Sequence, residues 1–364
     1  MTNKGEGILG KKGCDSKFMS MEEAVRTYVK SGSSLGLGNF LTCGPFDIVH
    51  EILRQHVTDL TVYSTSTVSE LDLLVGGGCV KRVATAYSHR FGTSRNGTAV
   101  ERAIRKHEIE YEDYTNYAIA AMFQAGAMGL SFMPILPAVG STDIFNVRTW
   151  MGEDKMKWMD CPFTGKKYVA VPAINPDVVI LHAQRADTLG NVQYWGTMSV
   201  VRDVAMSAKH VVVSVEEIVP PEMVKLSPHN TILPSFRVDA IVECPLGGHP
   251  LELVGYYGLD YPFEAQYFLD LQSGRQFGKF LEEWVYDVKD RAEYIEHYVD
   301  KYGQDALNRL RVRHLYGAPV DYGSPQRGYW EDGNYSSWID MTKEQFLKFM
   351  EEKVPLVEKK EEGE

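Results

Sequence analysis

The chain has only five cysteines, Cys14, Cys43, Cys79, Cys161 and Cys244, and no CxxC among them. An odd, scattered set does not make a disulfide framework, so the expected setting is the reducing cytoplasm. HExxH, an EF-hand loop and Cys/His clusters are also missing, and no metal site is expected. No block of basic residues occurs. The 38 Lys and Arg against 49 Asp and Glu leave a formal net charge of -11, which argues against nucleic acid as a partner. Apolar runs long enough to span a membrane are absent. The polar, Gly/Lys-rich stretch 1–18 lacks the apolar core of a secretory signal. Gly76-Gly77-Gly78 does not have the GxGxxG spacing of a dinucleotide site.

What is present is an α/β pattern. Ser20-x-x-Glu23 has the form of a capping box, and Ala24, Val25, Tyr28 and Val29 follow as a helical stripe that Gly32 ends. Residues 35–40 read as a strand running into a loop, 46–53 as a helix and 60–63 as a strand. Later, 177–183 and 210–215 are continuous apolar runs, as in strands covered on both faces, and 238–242 is similar. Helices are predicted over 116–129 and 200–208. Strand, helix, strand at this spacing means an open, mainly parallel sheet with crossover helices. Beyond Phe263, Phe277, Phe280, Leu281, Trp284, Val285 and Val288 form an amphipathic helix, and a polar helix follows over 292–302. The expected organisation is an extension over 1–19, the α/β domain over 20–275, and a helical and irregular extension over 276–364. The last part contains a Gly, Pro and aromatic-rich arm at 317–337, expected to contact a partner, and a charge run from 351.

The loop Gly36-Leu37-Gly38-Asn39-Phe40-Leu41-Thr42-Cys43-Gly44-Pro45 follows the first helix and strand. A loop with so little side chain can bring backbone N–H groups against a developing oxyanion, and it can equally be a tight turn into a helix. Further segments come in a recognisable order. They are Glu51-Ile52-Leu53-Arg54-Gln55, Thr58-Asp59-Leu60-Thr61, Tyr111-Glu112-Asp113-Tyr114, 160–163 (DCPF), 169–172 (VAVP), Asp187-Thr188-Leu189-Gly190-Asn191, Gly247-Gly248-His249-Pro250 and 283–290. Together they resemble the alpha subunits of class I CoA-transferases of the glutaconate type, over roughly residues 21–294.

That resemblance implies a heteromeric enzyme, a heterotetramer or larger, that exchanges coenzyme A between short acyl-CoAs, dicarboxylic ones included, and carboxylic acids. Coenzyme A is then a substrate, with no permanently bound cofactor. It also implies that a glutamate of a beta-type partner attacks the acyl-CoA to give a mixed anhydride. The released CoA thiolate converts this to a glutamyl-CoA thioester, and the acceptor acid reverses the steps. The corresponding place here, Tyr63-Ser64-Thr65-Ser66, holds no glutamate. Within the loop, Gly38, Asn39, Phe40 and Thr42 become candidates to bind the acyl group and its oxyanion. Asn39 replaces the second glycine usual in the family, as an added amide donor or as a left-handed turn residue.

Other candidates come from position. Ser64, Thr65 and Ser66 end a strand where open α/β sheets bind ligands, although hydroxyls also cap turns there. Ser88, His89 and Arg90 follow the next strand, and Arg suits a substrate carboxylate. Asn116 opens a helix, where an N-cap is the ordinary role. In a related ring-opening hydrolase clade a glutamate stands near that place, which an asparagine does not replace. Glu70 is the acid nearest to the second strand's loop, but it falls inside a predicted helix over 68–75. Asp187, Gly190 and Asn191 read as turn residues, and His249 as a core or interface histidine. Three functions stay open: the transferase subunit, a hydrolase of cyclic CoA thioesters, and a non-catalytic ligand-binding subunit.

Overall fold

A computed structural model describes residues 17–39, 42–88, 97–264, 266 and 274–312. Phe40, His89, Arg90 and the arm at 317–337 lie outside these residues. The first half alternates helix and strand, with α4 and β4 added to the elements the apolar pattern predicts: α1 (Met21–Tyr28), β1 (Ser34–Leu37), α2 (Phe46–Arg54), β2 (Leu60–Ser64), α3 (Ser69–Gly76), β3 (Val80–Thr85), α4 (Ala99–Arg105), β4 (Glu110–Asp113) and α5 (Asn116–Ala127). At the start of α1, Ser20 Oγ accepts from Glu23 N at 3.2 Å, and Ala24 and Val25 turn inward.

The chain then builds β5 (Phe132–Ile135), the short α6 (Asp143–Asn146), β6 (Lys157–Asp160) and β7 (Lys167–Pro172) before returning to the main sheet. That return runs through β8 (Val178–Asp187), β9 (Val192–Gln193), α7 (Val201–Ser207), β10 (His210–Val219), α8 (Pro221–Leu226), β11 (Thr231–Leu233) and β12 (Ala240–Glu243). The body of the main sheet runs β12-β10-β8-β1-β2-β3-β4, and every pairing along it is parallel. The valines at 211, 212, 213 and 215 of β10 are all 0% exposed, because helices cover both faces. From β1 the order steps one way through β2, β3 and β4, and from β8 the other way through β10 and β12. The loops after β1 and β2 therefore lie beside the point where the order reverses, the usual place for a ligand crevice.

At its far end β8 turns back into antiparallel β9. Asp187 closes that turn: Oδ1 accepts from Leu189 N and Asn191 N at 3.0 and 2.8 Å, and Gly190 has φ +92°. These residues are structural, as expected.

The β5-β7-β6 antiparallel sheet was not anticipated from the sequence. Behind it a buried ion pair, Lys155 Nζ to Glu112 Oε1 at 2.8 Å with both side chains 0% exposed, ties the linking segment to β4.

The predicted amphipathic helix over 277–288 splits into α9 (Gly274–Leu281) and a π-helical turn, Glu282–Tyr286, that buries Trp284 and Val285. Helices α10 (Arg291–Tyr302) and α11 (Gln304–Leu310) complete the described chain. Trp284 packs edge-on against Phe263 at 4.8 Å. His249 sits behind them, its ring bonded to Tyr294 OH at 2.9 Å and Asp260 Oδ2 at 3.0 Å. Burial pushes its pKa below the ordinary histidine value, so it is a neutral core residue. Among the described residues no helix is long and apolar enough to cross a membrane.

Candidate functional site

The glycine loop leaves β1 under tight steric control. A Cβ on Gly38 would lie 2.9 Å from Val201 Cα, so only glycine lets this strand end pass the start of α7. Asn39 is buried, and its Nδ2 donates to Glu70 Oε1 at 2.7 Å. Its carbonyl accepts from Thr67 Oγ1 at 3.2 Å. Among the described residues of the loop Cys43, with φ 53°, is left-handed, and Asn39 is not. Cys43 N donates to Glu252 O at 2.8 Å, which ties the loop to the segment after Pro250. Thr42 is buried next to it. Burial pushes the Cys43 thiol up to about 11, so it is not a thiolate nucleophile at neutral pH.

Glu70 lies directly under this loop. It projects from α3, is 1% exposed, and would meet a Cβ on Gly44 at 1.9 Å from Oε1. An acid in this position holds the loop's shape.

Beside the loop, the end of β2 presents four hydroxyl residues. Ser64 Oγ and Thr85 Oγ1 are 2.9 Å apart, linking β2 to β3. The Thr65 carbonyl accepts from Ala86 N and Tyr87 N, so its backbone is spoken for. The Thr65 hydroxyl is buried without a partner among the described residues. Ser66 Oγ donates to Asn116 Oδ1 at 2.8 Å. The N-cap of α5 is Thr115, whose side chain accepts from Ala118 N, so Asn116 is freed from the capping role assigned to it. Ser88 Oγ instead pairs with Tyr111 OH at 3.0 Å. The structure thus brings Gly38, Asn39, Ser64, Thr65, Ser66 and Asn116 to one edge of the sheet.

A second polar cluster, which sequence reasoning missed, lies behind the loop. His182 on β8 is 0% exposed and lines a hollow of about 10 Å³ beneath Gly38 and Asn39. Its Nδ1 is 2.8 Å from Ser214 Oγ, and its Nε2 2.8 Å from Glu216 Oε1. Glu216 also accepts from Tyr257 OH at 2.8 Å and from Leu246 N at 2.9 Å. A carboxylate only accepts, so Nε2 is the donor of that bond, while Nδ1 also faces Asp47 Oδ2 at 3.8 Å. Gly247 fits against this ring, where a Cβ would lie 2.6 Å from Cε1. The readable signal was a histidine inside the apolar run 177–183 and a glutamate directly after 210–215. No group of three or more metal-ligating side chains occurs among the described residues.

The family model described as coenzyme A transferase matches residues 18–244. Over 317 residues the chain is 35% identical to one of the subunits of glutaconate CoA-transferase from Acidaminococcus fermentans, a match covering 84% of this chain and 98% of that one. It is 30% identical over 283 residues to a cholesterol ring-cleaving hydrolase subunit of Rhodococcus jostii, covering 75% of this chain and 93% of the relative. The crystal structure of glutaconate coenzyme A-transferase from A. fermentans aligns with a TM-score of 0.74 at 33% identity, over 85% of this chain and 98% of that one.

Proposed function

The chain belongs to the coenzyme A transferase family, and on that premise we propose that it is the alpha-type subunit of a heteromeric CoA-transferase acting on short acyl-CoAs. The observation that carries this reading is the placement of loop residues 38, 39 and 42–44 beside the end of β2, with no acid among the described residues free to act as nucleophile there. Glu70 is committed to Asn39, and β2 ends in hydroxyls. In this reading a beta-type partner supplies the attacking glutamate. It displaces CoA thiolate to form the mixed anhydride. The thiolate attacks the glutamyl carbonyl and expels the donor carboxylate, and the acceptor carboxylate runs the same two steps in reverse on the resulting glutamyl-CoA thioester. The role of this chain is to bind and polarise. Backbone N–H groups of the glycine loop stabilise the oxyanion of each tetrahedral intermediate, and Ser66 with Asn116 borders the acyl group. The complete enzyme is a heterotetramer or larger, works in the cytoplasm, and uses coenzyme A as a substrate.

A second reading, a hydrolase of cyclic CoA thioesters, is favoured by the similarity to the R. jostii subunit. It requires a base on this chain. Asn116, the residue facing Ser66, carries an amide that cannot accept a proton at neutral pH.

The test is a CoA-exchange assay with a panel of acyl-CoA donors and short mono- and dicarboxylate acceptors, on this chain alone and with its beta-type partner. Exchange only in the pair, with a borohydride-trapped glutamate on the partner, is the expected result. Acceptor-independent release of free CoA would replace the transferase with the hydrolase. Silence in both would leave a non-catalytic subunit.

A further inference from the structure

Past His182, strands β8 and β10 extend beyond the rest of the sheet, and a cleft of about 570 Å³ opens against them. Its walls include Arg185, Trp195, Glu217, Tyr256, Leu307 and Arg311. We propose that this cleft is a ligand site for a small organic carboxylate with an apolar body, and that Arg185 is the residue that grips the carboxylate.

The guanidinium of Arg185 is fixed along one edge and on one face. Its Nε donates to Gln193 Oε1 at 2.8 Å, and its Cζ lies 5.3 Å from the centre of the Trp195 ring. The glutamine is itself immobile: it is 0% exposed, and its Nε2 donates to Val224 O at 3.1 Å and Ser227 O at 2.7 Å. The acceptor that holds Arg185 therefore has a single orientation. Among the described residues no carboxylate lies within ion-pair distance of Arg185, although two acids share its cleft. Glu216 is occupied by His182, Tyr257 and Leu246 N, and Glu217, the register neighbour of Arg185, accepts from Tyr256 OH. What remains of Arg185 is its Nη pair.

A planar fork already immobilised along Nε and on its face loses little freedom when it binds. Its remaining edge matches the two coplanar oxygens of a carboxylate. The rest of the wall suits a flat or aliphatic body. Trp195 and Tyr256 stand with ring centres 6.1 Å apart, and Leu307 and Val312 line the cleft with them. The volume falls within the usual range for small-molecule sites. Arg185 is three residues along β8 from His182, about 10 Å at the rise of an extended strand. The His182–Glu216–Tyr257 cluster fills the space between. A ligand here does not touch the glycine loop, so the proposal stands apart from the reading of that loop.

The test uses the full chain with its partner subunit, titrated calorimetrically with benzoate and hexanoate, and with methyl benzoate and inorganic phosphate as controls. Binding of one benzoate per chain is expected, with a change in tryptophan fluorescence that Trp195→Phe removes. Arg185→Gln should weaken benzoate by at least about tenfold, since a charged hydrogen-bonded pair is lost. Arg185→Lys should recover part of that loss. Matching circular dichroism and melting of the variants guards against misfolding. Benzoate binding should persist in Asn39→Ala, which separates the cleft from any acid held at the glycine loop. Four results would each overturn the proposal: no benzoate or hexanoate binding at millimolar concentration, binding indifferent to Arg185→Gln, loss of binding in Asn39→Ala alone, or phosphate or the ester competing as well as the acid.

Discussion

Asn39 Nδ2 donates to Glu70 Oε1 across 2.7 Å, and through this bond the buried start of α3 sets the position of the glycine loop. Gly44 rests on the same carboxylate oxygen, so both ends of the loop are referred to one side chain. Asn39→Ala and Glu70→Ala are expected to be coupled in a double-mutant cycle by about 0.5–3 kcal/mol in urea denaturation. On the proposed reading of the loop as an oxyanion site, each should lower kcat for CoA exchange in the assembled enzyme by on the order of 10–100-fold, because small misplacements are costly there. Additive effects on stability would show that the bond does not organise the loop.

Ser66 and Asn116 give a prediction with two readouts. Asn116→Asp keeps the acceptor for the Ser66 hydroxyl and adds a negative charge in the first turn of α5. The helix dipole favours that charge, so the melting temperature above pH 5 should hold or rise, with a contribution of about 0.3–1 kcal/mol. The same charge repels an incoming carboxylate, so KM for the acceptor acid should rise more than KM for the acyl-CoA. An unchanged acceptor KM would remove Asn116 from the acyl-binding edge.

The legible parts of this chain are those whose signal is local. Ser20 and Glu23 mark the start of α1, and the unbroken valines of 210–215 mark a strand covered on both faces. Asp187 and Gly190 mark a turn that bonds its own backbone. What escaped depends on residues far apart in sequence. Glu70 reads as the acid nearest to the second strand's loop, but its bond to Asn39, 31 positions away in the chain, exists only in the fold. Thr115 and Asn116 are both acceptable N-caps, and only packing against Ser66 decides between them. In the β5-β7-β6 sheet, β5 and β6 are mostly exposed and β5 carries Pro134, so neither has the apolar run of a covered strand. The cleft at Arg185 depends on Gln193 and Trp195 across the β8–β9 hairpin.

Lys155 and Glu112 bear on how that small sheet is held. Glu112 accepts from Thr149 N and Met151 N as well as meeting Lys155, and the Glu112 and Lys155 side chains are both 0% exposed. Lys155→Met leaves a buried carboxylate without its cation and is expected to cost about 3–5 kcal/mol. Adding Glu112→Gln should recover part of that loss, because the amide oxygen still accepts from the two backbone N–H groups. Chemical denaturation of the single and double variants checks this, and a double variant no more stable than Lys155→Met would show that the charge is not the cost.

Asp72, on α3 two residues beyond Glu70, predicts how stability depends on pH. Its side chain is 0% exposed and accepts from Val100 N at 2.9 Å, holding the first turn of α4. Burial pushes its pKa up to about 7, against the opposing pull of the Val100 N–H, Thr98 and Arg102. The folded state thus keeps a proton that the unfolded chain releases near pH 4. Between about pH 4 and pH 7 the unfolded chain binds fewer protons at this residue, so its contribution to stability falls as pH rises and levels off above 7. Asp72→Asn retains an oxygen for Val100 N and has no charge to bury. The variant should melt together with the natural chain at pH 4 and a few degrees higher at pH 8, where 1 kcal/mol is worth about 2–4 °C in a large domain. Parallel melting curves at both pH values would show that Asp72 is ionised in the folded protein across the whole range.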